Sequence, residues 1–548
     1  MPSPHKPLRA SIVIPVRNDS GPLETCLAAI ASQADRGGFE VVIVDDGSRV
    51  AVSPDRWRNH VPDIRVVRQE RLGVAAARNR GIEEAMGEII VFVDSDVMVG
   101  PDFLTRVMRA ADDNPGDAAF QIGLSGGHGN FTERMEGLRL RATLRTLARP
   151  DGHIAYANTS AFAIRKAALP ANRDVFDPGA VRGEDTLLLA WLLRRGMTPR
   201  LIDGGRVIHS PRMGWISYLL KHFKIGYYSA PAHAALREST SGVLMEGGNR
   251  RQVLTCMLSD AAGDLRELAA FCLVLAAHGF ERVGRSFHGM FGLRSGRSQV
   301  VSMPADAVRQ NELVARIAAN ARRGTGMKLT YLTAWTLVQG RRAPTMRGLF
   351  EKFDICYPDG MGVVLSSILV GGRRLLKVTA NEFISTLLDQ VAREKLPLAL
   401  VGASESGIAG ASRRLSEQHP DLRIVGYSHG YLSETDERNL REKLLEWQPR
   451  LVIIGMGQPL QEEWVLRNCG ILPHAVFLCV GGLFDYITGL KPTPPKLVRR
   501  WGMEWLYILA MRPRRFWRRY VIGLPLLASY ILKERIHPAK HAGKPHGS

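Results

Sequence analysis

The sequence predicts an α/β protein made of two sheet-and-helix domains in succession. In the first half, short and wholly apolar runs alternate with helical segments, as they do in parallel sheets covered on both faces. In the second half, a strand-like run is followed by glycine four times, which is typical of a Rossmann-like nucleotide-binding domain. A chain of 548 residues also exceeds one hydrophobic core, so two or more domains are expected.

Two of the predicted strands in the first half end in paired acidic residues. The predicted strands are Ser11–Pro15, Glu40–Val44 and Glu88–Val93, and the predicted helices are Leu23–Ser32 and Ala75–Met86. Asp45 and Asp46 follow the second strand, and Asp94 and Asp96 follow the third. Since ligands in such sheets bind beyond the carboxyl ends of the strands, both pairs are candidate ligand-binding residues.

The second half repeats the alternation of strands and helices but not the residues of the first half. Its predicted strands are Leu398–Val401, Arg423–Tyr427, Leu451–Ile454 and Val476–Val480. Between the halves, glycine-rich polar pieces surround apolar helical segments, which predicts a connecting helical region at 238–320. The predicted domains on either side are 1–237 and 321–540, the second with a basic amphipathic tail from about residue 491.

The charge of the chain is concentrated in this tail. Between Lys491 and Lys540 there are twelve Lys or Arg and two Glu, which is half of the net charge of +20. Such a segment attracts phospholipid headgroups, nucleic acid or diphosphate-bearing substrates. The tail also interleaves Trp, Tyr and Phe with its arginines, as interfacial membrane helices do, and no nucleic-acid-binding motif accompanies it. An anionic membrane surface is therefore the expected partner.

The compartment is predicted from the cysteines and the apolar runs. The six cysteines are scattered without a CxxC pair, and several lie in apolar runs, which favours buried, reduced thiols and the cytosol. No signal-peptide pattern precedes the first strand, and no run approaches the roughly 20 apolar residues that a spanning helix needs. We expect a cytoplasmic protein bound peripherally to the inner face of the membrane.

Four motifs of the first half occur in the order and at the spacing of glycosyltransferase family 2, which residues 8–230 resemble. The matching segments are Ser11–Asn18, Val44–Ser48, Gly73–Gly81 and Val93–Asp96. The resemblance implies a GT-A fold, a nucleotide-sugar donor (usually a UDP-sugar) and inversion at the anomeric carbon.

The same resemblance assigns the donor-side residues. It implies that Pro15, Asp45, Asp46 and Arg78 contact the donor. It further implies a divalent cation on Asp94 and Asp96, with His209 as a further ligand. Carboxylate oxygens suit Mg²⁺ or Mn²⁺, and the cation neutralises the departing diphosphate.

Inverting transfer needs a base to accept the proton of the acceptor hydroxyl. Gly183–Leu187 resembles the catalytic segment of the family, which makes Asp185 the base and Glu184 a neighbour that positions the acceptor or the base. The alternative is structural, because a helix follows and acidic residues favour helix starts.

The second half, over residues 325–535, resembles glycosyltransferase family 26, which includes N-acetylmannosamine and N-acetylmannosaminuronic acid transferases. The matching segments are Tyr357–Val363, Val425–Tyr427, Gly430–Tyr431, Gly455–Trp464, Val480–Asp485, Gly489, Gly502–Tyr507 and Arg512–Arg519. By this resemblance Asp359 is the general base and Thr333 lies in the acceptor site. An ordinary Asp-Gly turn remains the alternative at Asp359.

Donor binding in this half is expected in the loop after a buried strand, where Gly457 lets the backbone approach a diphosphate. Gln458, Gln461 and Glu462 are candidates for contacting sugar or nucleotide hydroxyls. This half lacks a paired-aspartate motif, so transfer without a metal or other cofactor is implied. Arginines must then stabilise the diphosphate or bind the membrane. The candidates are Arg512, Arg514, Arg515, Arg518 and Arg519.

Together these patterns predict a bifunctional inverting glycosyltransferase that extends a lipid-linked glycan for a bacterial surface polysaccharide. Two departures from the second family, Trp335 where relatives usually carry Asn and Ile508 where they tend to carry Arg, leave open a rival. In that rival only the family 2 unit is active and the second half is a membrane-docking scaffold. A basic nucleic-acid-binding protein is the remote alternative, since it leaves both acidic groups unexplained. The sequence does not predict the sugars, the linkage or the oligomeric state.

Overall fold

The computed structural model of the chain divides into two compact units, Met1–Gly292 and Leu293–Ser548. It describes residues 8–18, 20–33, 38–61, 63–126, 131–170, 174–209, 214–239, 247–291, 296–371, 374–491, 504–511 and 513–536.

An eight-stranded sheet organises the first unit, in the order β3-β2-β1-β4-β7-β6-β8-β5. The strands are β1 Ala10–Val16, β2 Phe39–Asp46, β3 Ile64–Gln69, β4 Ile89–Val93, β5 Val97–Val99, β6 Ala119–Gly126, β7 Ala161–Arg165 and β8 Arg200–His209. The three strands predicted for this half are confirmed. The prediction of a parallel sheet is correct for β3-β2-β1-β4 and for the β6–β8 pair, whereas β7 runs antiparallel to β4 and β6, and β5 runs antiparallel to β8. A buried strand is equally apolar in either direction, so composition does not reveal the reversal.

The helices of the first unit are α1 Ser20–Ala31, α2 Val74–Glu84, α3 Phe103–Asp113, α4 Phe131–Leu147, α5 Glu184–Leu193, α6 Trp215–Ser239, α7 Gly247–Ala261 and α8 Leu265–Phe291. Two apolar cores lie on opposite faces of the sheet. Successive residues of β1 alternate between them, Ile12 and Ile14 facing one core and Val13 the other. This two-sided burial explains why the strands are apolar throughout instead of alternating.

Part of the predicted connecting region folds onto the first unit. Apolar residues of α7 and α8, such as Met257 and Phe271, form a core with Met135 of α4 and Tyr218 of α6. Two glycines allow α6 and α8 to touch through their backbones. A Cβ at Gly226 would collide with the carbonyl of Glu281, and one at Gly284 with the carbonyl of Phe223.

The second unit contains a hairpin, β9 Gly296–Val300 with β10 Met303–Ala307, and a six-stranded parallel sheet. The sheet strands are β11 Met327–Leu332, β12 Ile355–Pro358, β13 Leu398–Gly402, β14 Ile424–Ser428, β15 Leu451–Gly455 and β16 Val476–Cys479. Their order is β12-β11-β16-β15-β13-β14, which confirms the Rossmann-like prediction and all four predicted strands. The rest of the connecting region, the hairpin and the next helix, belongs to this unit.

The helices of the second unit are α9 Gln310–Arg323, α10 Ala334–Arg342, α11 Pro344–Glu351, α12 Met361–Leu369, α13 Ala380–Arg393, α14 Glu405–Gln418, α15 Glu434–Trp447, α16 Leu460–Asn468, α17 Leu483–Ile487, α18 Glu504–Met511, α19 Pro513–Trp517 and α20 Gly523–Ile536. Thr333, Asp359, Gly457 and Gly481 all lie just beyond the carboxyl ends of neighbouring strands. Among the helices described in either unit, none combines the length and the apolar character needed to cross a bilayer.

Candidate active sites

The first site is organised by a buried arginine. Arg78 lies on α2, which starts at Gly73, a residue with the positive φ of 100° that glycine tolerates. Its guanidinium is 3% exposed and donates to Oδ1 of Asp94 at 2.8 Å and to Oε1 of Glu184 at 2.9 Å. The guanidinium also lies over the ring of Phe176 at 5.6 Å. A cation this deeply buried requires such partners, and it holds two separate acidic motifs together.

Asp94 is held from its other side by β7. The antiparallel register pairs Val93 with Ala161, so Ser160 comes next to Asp94 and donates to Oδ2 at 2.7 Å. Asp96 follows two residues later and is half-buried.

These two carboxylates are chemically suited to a divalent cation. Each oxygen of Asp94 accepts one hydrogen bond and keeps a lone pair, and Mg²⁺ is usually bound by one or two carboxylates plus substrate phosphates. Within the described part of the chain, no group of three or more His, Cys, Asp or Glu side chains surrounds a common metal position. The third predicted ligand, His209, lies in β8 opposite Val97, and its side chain is outside the described residues.

Asp185 lies in the first turn of α5 but does not cap that helix. The N-cap is Gly183, in the left-handed region at φ 87°, and it has no side-chain capping bond. Asp185 Oδ1 instead accepts a hydrogen bond from the Thr159 hydroxyl and lies 4.0 Å from the Arg78 guanidinium. Burial and the neighbouring Glu184 charge raise the pKa of Asp185 to about 7, against the opposing effects of Arg78 and Thr159. A carboxyl titrating near neutrality is matched to proton transfer at physiological pH.

The acidic pair after β2 is bonded to the chain itself. Asp45 is buried and accepts hydrogen bonds from Ser48 N at 2.8 Å and from Arg68 at 3.1 Å. Asp46 accepts from Gln69, Leu72 and Gly73, and burial raises its pKa. Asp45 thus braces the loop after β2, and Asp46 braces the loop that leads into α2. Pro15, predicted with them, is buried in β1 opposite Val44.

The second site is organised by a buried glutamate. Glu462 is fully buried, and its Oε1 accepts hydrogen bonds from Thr330 at 2.5 Å, Gln461 at 2.8 Å and Gln458 at 3.3 Å. Its Oε2 has no hydrogen-bond partner among the described residues, and burial raises the pKa of the carboxyl. Gln461 also accepts from Gly481 N at 3.1 Å. Gln461 and Glu462 therefore bond the first turn of α16, which follows β15, to Thr330 of β11 and to Gly481 after β16.

Gln458 connects this cluster to the predicted acceptor residue. Its amide donates to the Tyr331 carbonyl at 2.6 Å and accepts from the Thr336 hydroxyl at 2.6 Å. Thr336 in turn shares a 2.8 Å bond with Thr333, the N-cap of α10. The neighbouring Gly457 has a φ of +82°, and a Cβ there would meet nothing within 4 Å, so its backbone is open to a ligand.

Asp359 and one tail arginine lie close to the same strand ends. The Asp359 amide donates to the Leu332 carbonyl at 2.7 Å, which places the residue beside the end of β11. Burial raises the pKa of Tyr331 and the Asp359 charge adds to this, whereas the Arg519 charge opposes it. Arg519 is thus the tail arginine for which a position near the site is visible.

The other tail arginines are placed differently. Arg514 is exposed, and Arg518 is exposed with its guanidinium 5.5 Å from the Trp517 ring. Arg512 and the side chain of Arg515 lie outside the described residues.

A cavity of about 600 Å³ lies beside the second site. Trp335, Arg342, Pro459 and Glu463 are among the residues that line it. Trp335, which departs from the family pattern, also packs against the tail, because a Cβ at Gly523 would lie 2.9 Å from its ring. The departure therefore has a packing role between α10 and α20.

Sequence reasoning missed Thr159, Ser160, Phe176 and Arg68. Each reaches its site through a tertiary contact between distant segments, and the β4–β7 pairing brings the first two. The polar run before the apolar strand Ala161–Arg165 was the signal available, but it does not reveal which strand is the partner.

Two family models match the chain. The model of the glycosyl transferase WecG/TagA/CpsF family matches residues 298–541, and the model of glycosyl transferase family 2 matches residues 11–171. The N-acetylglucosaminyldiphosphoundecaprenol N-acetyl-beta-D-mannosaminyltransferase of Bacillus spizizenii is 30% identical over 203 residues, which are 37% of this chain and 76% of the relative. The transferase of the same name from Bacillus subtilis is 30% identical over 197 residues, 36% of this chain and 75% of the relative.

Solved glycosyltransferase structures also match at lower identity. Residues 1–349 of S. aureus TarS give 18% identity and a TM-score of 0.30, covering 55% of this chain and 97% of that chain. The mannosyltransferase PcManGT from Pyrobaculum calidifontis, solved with GDP-Man and Mn²⁺, gives 19% identity and a TM-score of 0.35, covering 53% and 91%.

Proposed function

Since this chain belongs to the WecG/TagA/CpsF family of glycosyltransferases and carries a family 2 glycosyltransferase module before it, we propose that it is a bifunctional inverting enzyme. Each unit transfers a sugar from a nucleotide-sugar donor, a UDP-sugar, to a lipid-linked glycan. The observation that carries the proposal for the first unit is the Arg78 cluster, which joins Asp94 to Glu184 and Asp185.

In the first unit, Asp185 is the base. Its carboxylate accepts the proton of the acceptor hydroxyl while that oxygen attacks the anomeric carbon and the nucleoside diphosphate departs. The raised pKa of Asp185 makes the carboxylate more basic than an ordinary aspartate, while a large fraction of it is still deprotonated at neutral pH. Arg78 and Thr159 keep the base in place, and Glu184 keeps Arg78 in place.

Asp94 and Asp96 would hold Mg²⁺ or Mn²⁺, which supplies positive charge to the departing diphosphate. Asp45 and Asp46 support the donor pocket through the loops they brace, and Pro15 supports it from its place in β1 opposite Val44. Direct contact of a nucleoside with the Asp45 carboxylate would require Arg68 or Ser48 to give way.

In the second unit, Asp359 is the proposed base and Thr333 contacts the acceptor. The exposed backbone at Gly457 receives the diphosphate, and Arg519 neutralises its charge in place of a metal. The Bacillus relatives are named for a sugar linked through diphosphate to undecaprenol, and we extend that class of acceptor to this chain. Such an acceptor and the basic tail together favour a peripheral position on the cytoplasmic membrane face.

One observation favours a second candidate function, in which only the first unit is catalytic. Trp335 occupies an acceptor-side position with a bulky ring that packs against the tail. In that case the second unit would serve as a membrane-docking scaffold.

The test is nucleoside diphosphate release from a panel of UDP-sugars, with membrane lipid extract as the acceptor source. Wild type is compared with Asp185→Asn and Asp359→Asn, each with and without EDTA. If each variant removes a different activity, and EDTA removes only the Asp185-dependent one, both units are active as proposed. If Asp359→Asn changes no activity on any donor, the scaffold function replaces the bifunctional one.

A further inference from the structure

Helix α6 lies directly against the turn that carries the proposed base. At Gly183, the residue before Glu184, an added Cβ would lie 2.9 Å from the Cβ of Ala232 and 3.0 Å from that of Ser229. Both contacts are on α6. Because the acceptor hydroxyl must reach Asp185, the surface of α6 next to this turn is a wall of the acceptor side of the site.

Lys221 lies on the same face of α6. Positions 221, 225, 229 and 232 are spaced by four, four and three residues, so they form one stripe, with Lys221 roughly 12 Å along the axis from Ser229. Lys221 is close enough to Asp96, Arg139 and Arg182 for their charges to affect its pKa.

Lys221 and Arg182 are both partly buried, yet neither forms a hydrogen bond or an ion pair with any residue that the structure describes. The nearby acid on α4, Glu136, is already engaged by Arg139 at 2.5 Å and by the Tyr218 hydroxyl at 3.2 Å. Withdrawing a cation from water without a partner costs free energy, and burial accordingly lowers the pKa of Lys221. An anionic ligand would supply the missing partner to both cations.

Exposed apolar side chains lie on α6 within two turns of Lys221. Ile216 is 58% exposed and Leu220 is 52% exposed, one helical turn apart, and Leu220 directly precedes Lys221. Trp215 is exposed at the start of the same helix. A ligand that fits both features carries a multivalent anion attached to a hydrocarbon chain.

We propose that Lys221 and Arg182 bind the diphosphate of a prenyl-diphosphate acceptor, whose hydrocarbon chain starts along Ile216 and Leu220. This inference rests on the proposed function of the first unit. It assigns the anion to the acceptor, because Arg182 directly precedes the Gly183–Asp185 turn that carries the base. The donor diphosphate is expected at Asp94 and Asp96.

The probe for the test is geranyl diphosphate, a short water-soluble prenyl diphosphate, titrated into the full-length protein with the donor site saturated by UDP and Mn²⁺. Lys221→Gln and Arg182→Gln are each expected to weaken its binding by about 10- to 100-fold, the loss typical of a charge-assisted contact. Lys221→Arg should restore most of the affinity. The control is Arg109→Gln, which removes an exposed positive charge from α3, away from the proposed surface, and should leave the affinity unchanged.

Two further arms identify the anion and the chain. Leu220→Ser should weaken the binding of geranyl diphosphate but not that of inorganic diphosphate. Geraniol, which lacks the diphosphate, should bind equally well to wild type and to Lys221→Gln. The affinity for UDP should be the same in all variants. Since Lys221→Gln removes an unpaired, partly buried cation, it should fold at least as stably as wild type, so lost binding does not report unfolding.

The proposal is overturned if Lys221→Gln and Arg109→Gln bind geranyl diphosphate equally well, or if Lys221→Gln weakens the binding of UDP instead of that of geranyl diphosphate. Failure of the wild-type protein to bind UDP would refute the donor assignment of the first unit. In that case the geranyl diphosphate titration still tests the acceptor subsite on its own.

Discussion

Replacing Arg78 by Met tests whether this arginine holds the first site together. The substitution keeps most of the side-chain volume but leaves Asp94 and Glu184, both partnered at under 3 Å, without their cation. Removing one partner of a buried ion pair costs about 3–5 kcal/mol. At roughly 2–4 °C per kcal/mol for a unit of this size, the first unfolding transition should fall by about 10 °C.

The pH dependence of this loss follows from the charges. Without Arg78, the neighbouring negative charges of Asp94, Glu184 and Asp185 repel one another, and protonation relieves this repulsion in the folded state. The folded variant then binds more protons than the unfolded one, and its stability rises as pH falls. The deficit relative to wild type should therefore shrink between pH 7.5 and pH 5.5.

Thermal unfolding of the full-length protein measures the shift, and peptide-resolved hydrogen exchange assigns it to the first unit. The control is Arg109→Met, which breaks the exposed pair between Arg109 and Asp113 at 3.7 Å and should cost about 0.5 kcal/mol or less. If Arg78→Met is no more destabilising than Arg109→Met, or if its deficit is the same at both pH values, the cluster does not depend on Arg78.

Three other predictions follow from the same contacts. Asp185→Asn should lower the rate of sugar transfer by the first unit by about 10²–10⁴-fold in a donor-turnover assay. The wild-type rate should rise as pH increases through about 7, because only the deprotonated base accepts a proton. A wild-type rate that is unchanged from pH 6 to 8 would contradict this role. Glu462→Gln keeps the hydrogen-bond acceptor and removes a buried charge, so in urea denaturation it should cost less stability than Glu462→Ala. Because the pKa of Glu462 is raised in the folded protein, the stability of the second unit should fall as pH rises above the usual carboxyl pKa, and Glu462→Gln should abolish this fall. Gly226→Ala should lower the melting temperature because its Cβ would collide with the Glu281 carbonyl. Gly279→Ala on α8, where a Cβ meets nothing within 4 Å, should instead raise the free energy of unfolding by about 0.5–1 kcal/mol. Equal effects of the two substitutions would show that α6 and α8 do not touch through their backbones.

The sequence predicted those elements whose pattern is local. Seven strands were predicted, three in the first half and four in the second, mainly because residues such as Val41–Val44 and Leu451–Ile454 are apolar in unbroken runs. Other buried strands, such as β7 and β12, were not predicted. The position of the acidic pairs at strand ends followed from the same runs. Strand β3 was missed because Ile64–Gln69 carries two arginines and is only partly buried, which resembles a loop in composition.

What the sequence could not predict depends on contacts between distant segments. Nothing in the run before Ala161 reveals an antiparallel pairing with β4, so Ser160 and Thr159 could not be placed beside Asp94 and Asp185. Acidic and amide residues in a family motif were predicted to face ligands, yet Glu462 is fully buried and bonded within the chain. A motif identifies the residue type at a site, whereas burial decides whether that residue touches the ligand or positions its neighbours.

The crowding of carboxylates around Arg78 has a consequence for engineering. Like charges held together in the folded protein oppose folding, so a neutral substitution at Asp185, whose pKa is raised, should increase thermal tolerance at neutral and higher pH. A screen that selects only for heat resistance would therefore collect inactive variants at this cluster. Stabilised versions of the enzyme are better sought at sites such as Gly279, where added side-chain atoms meet open space.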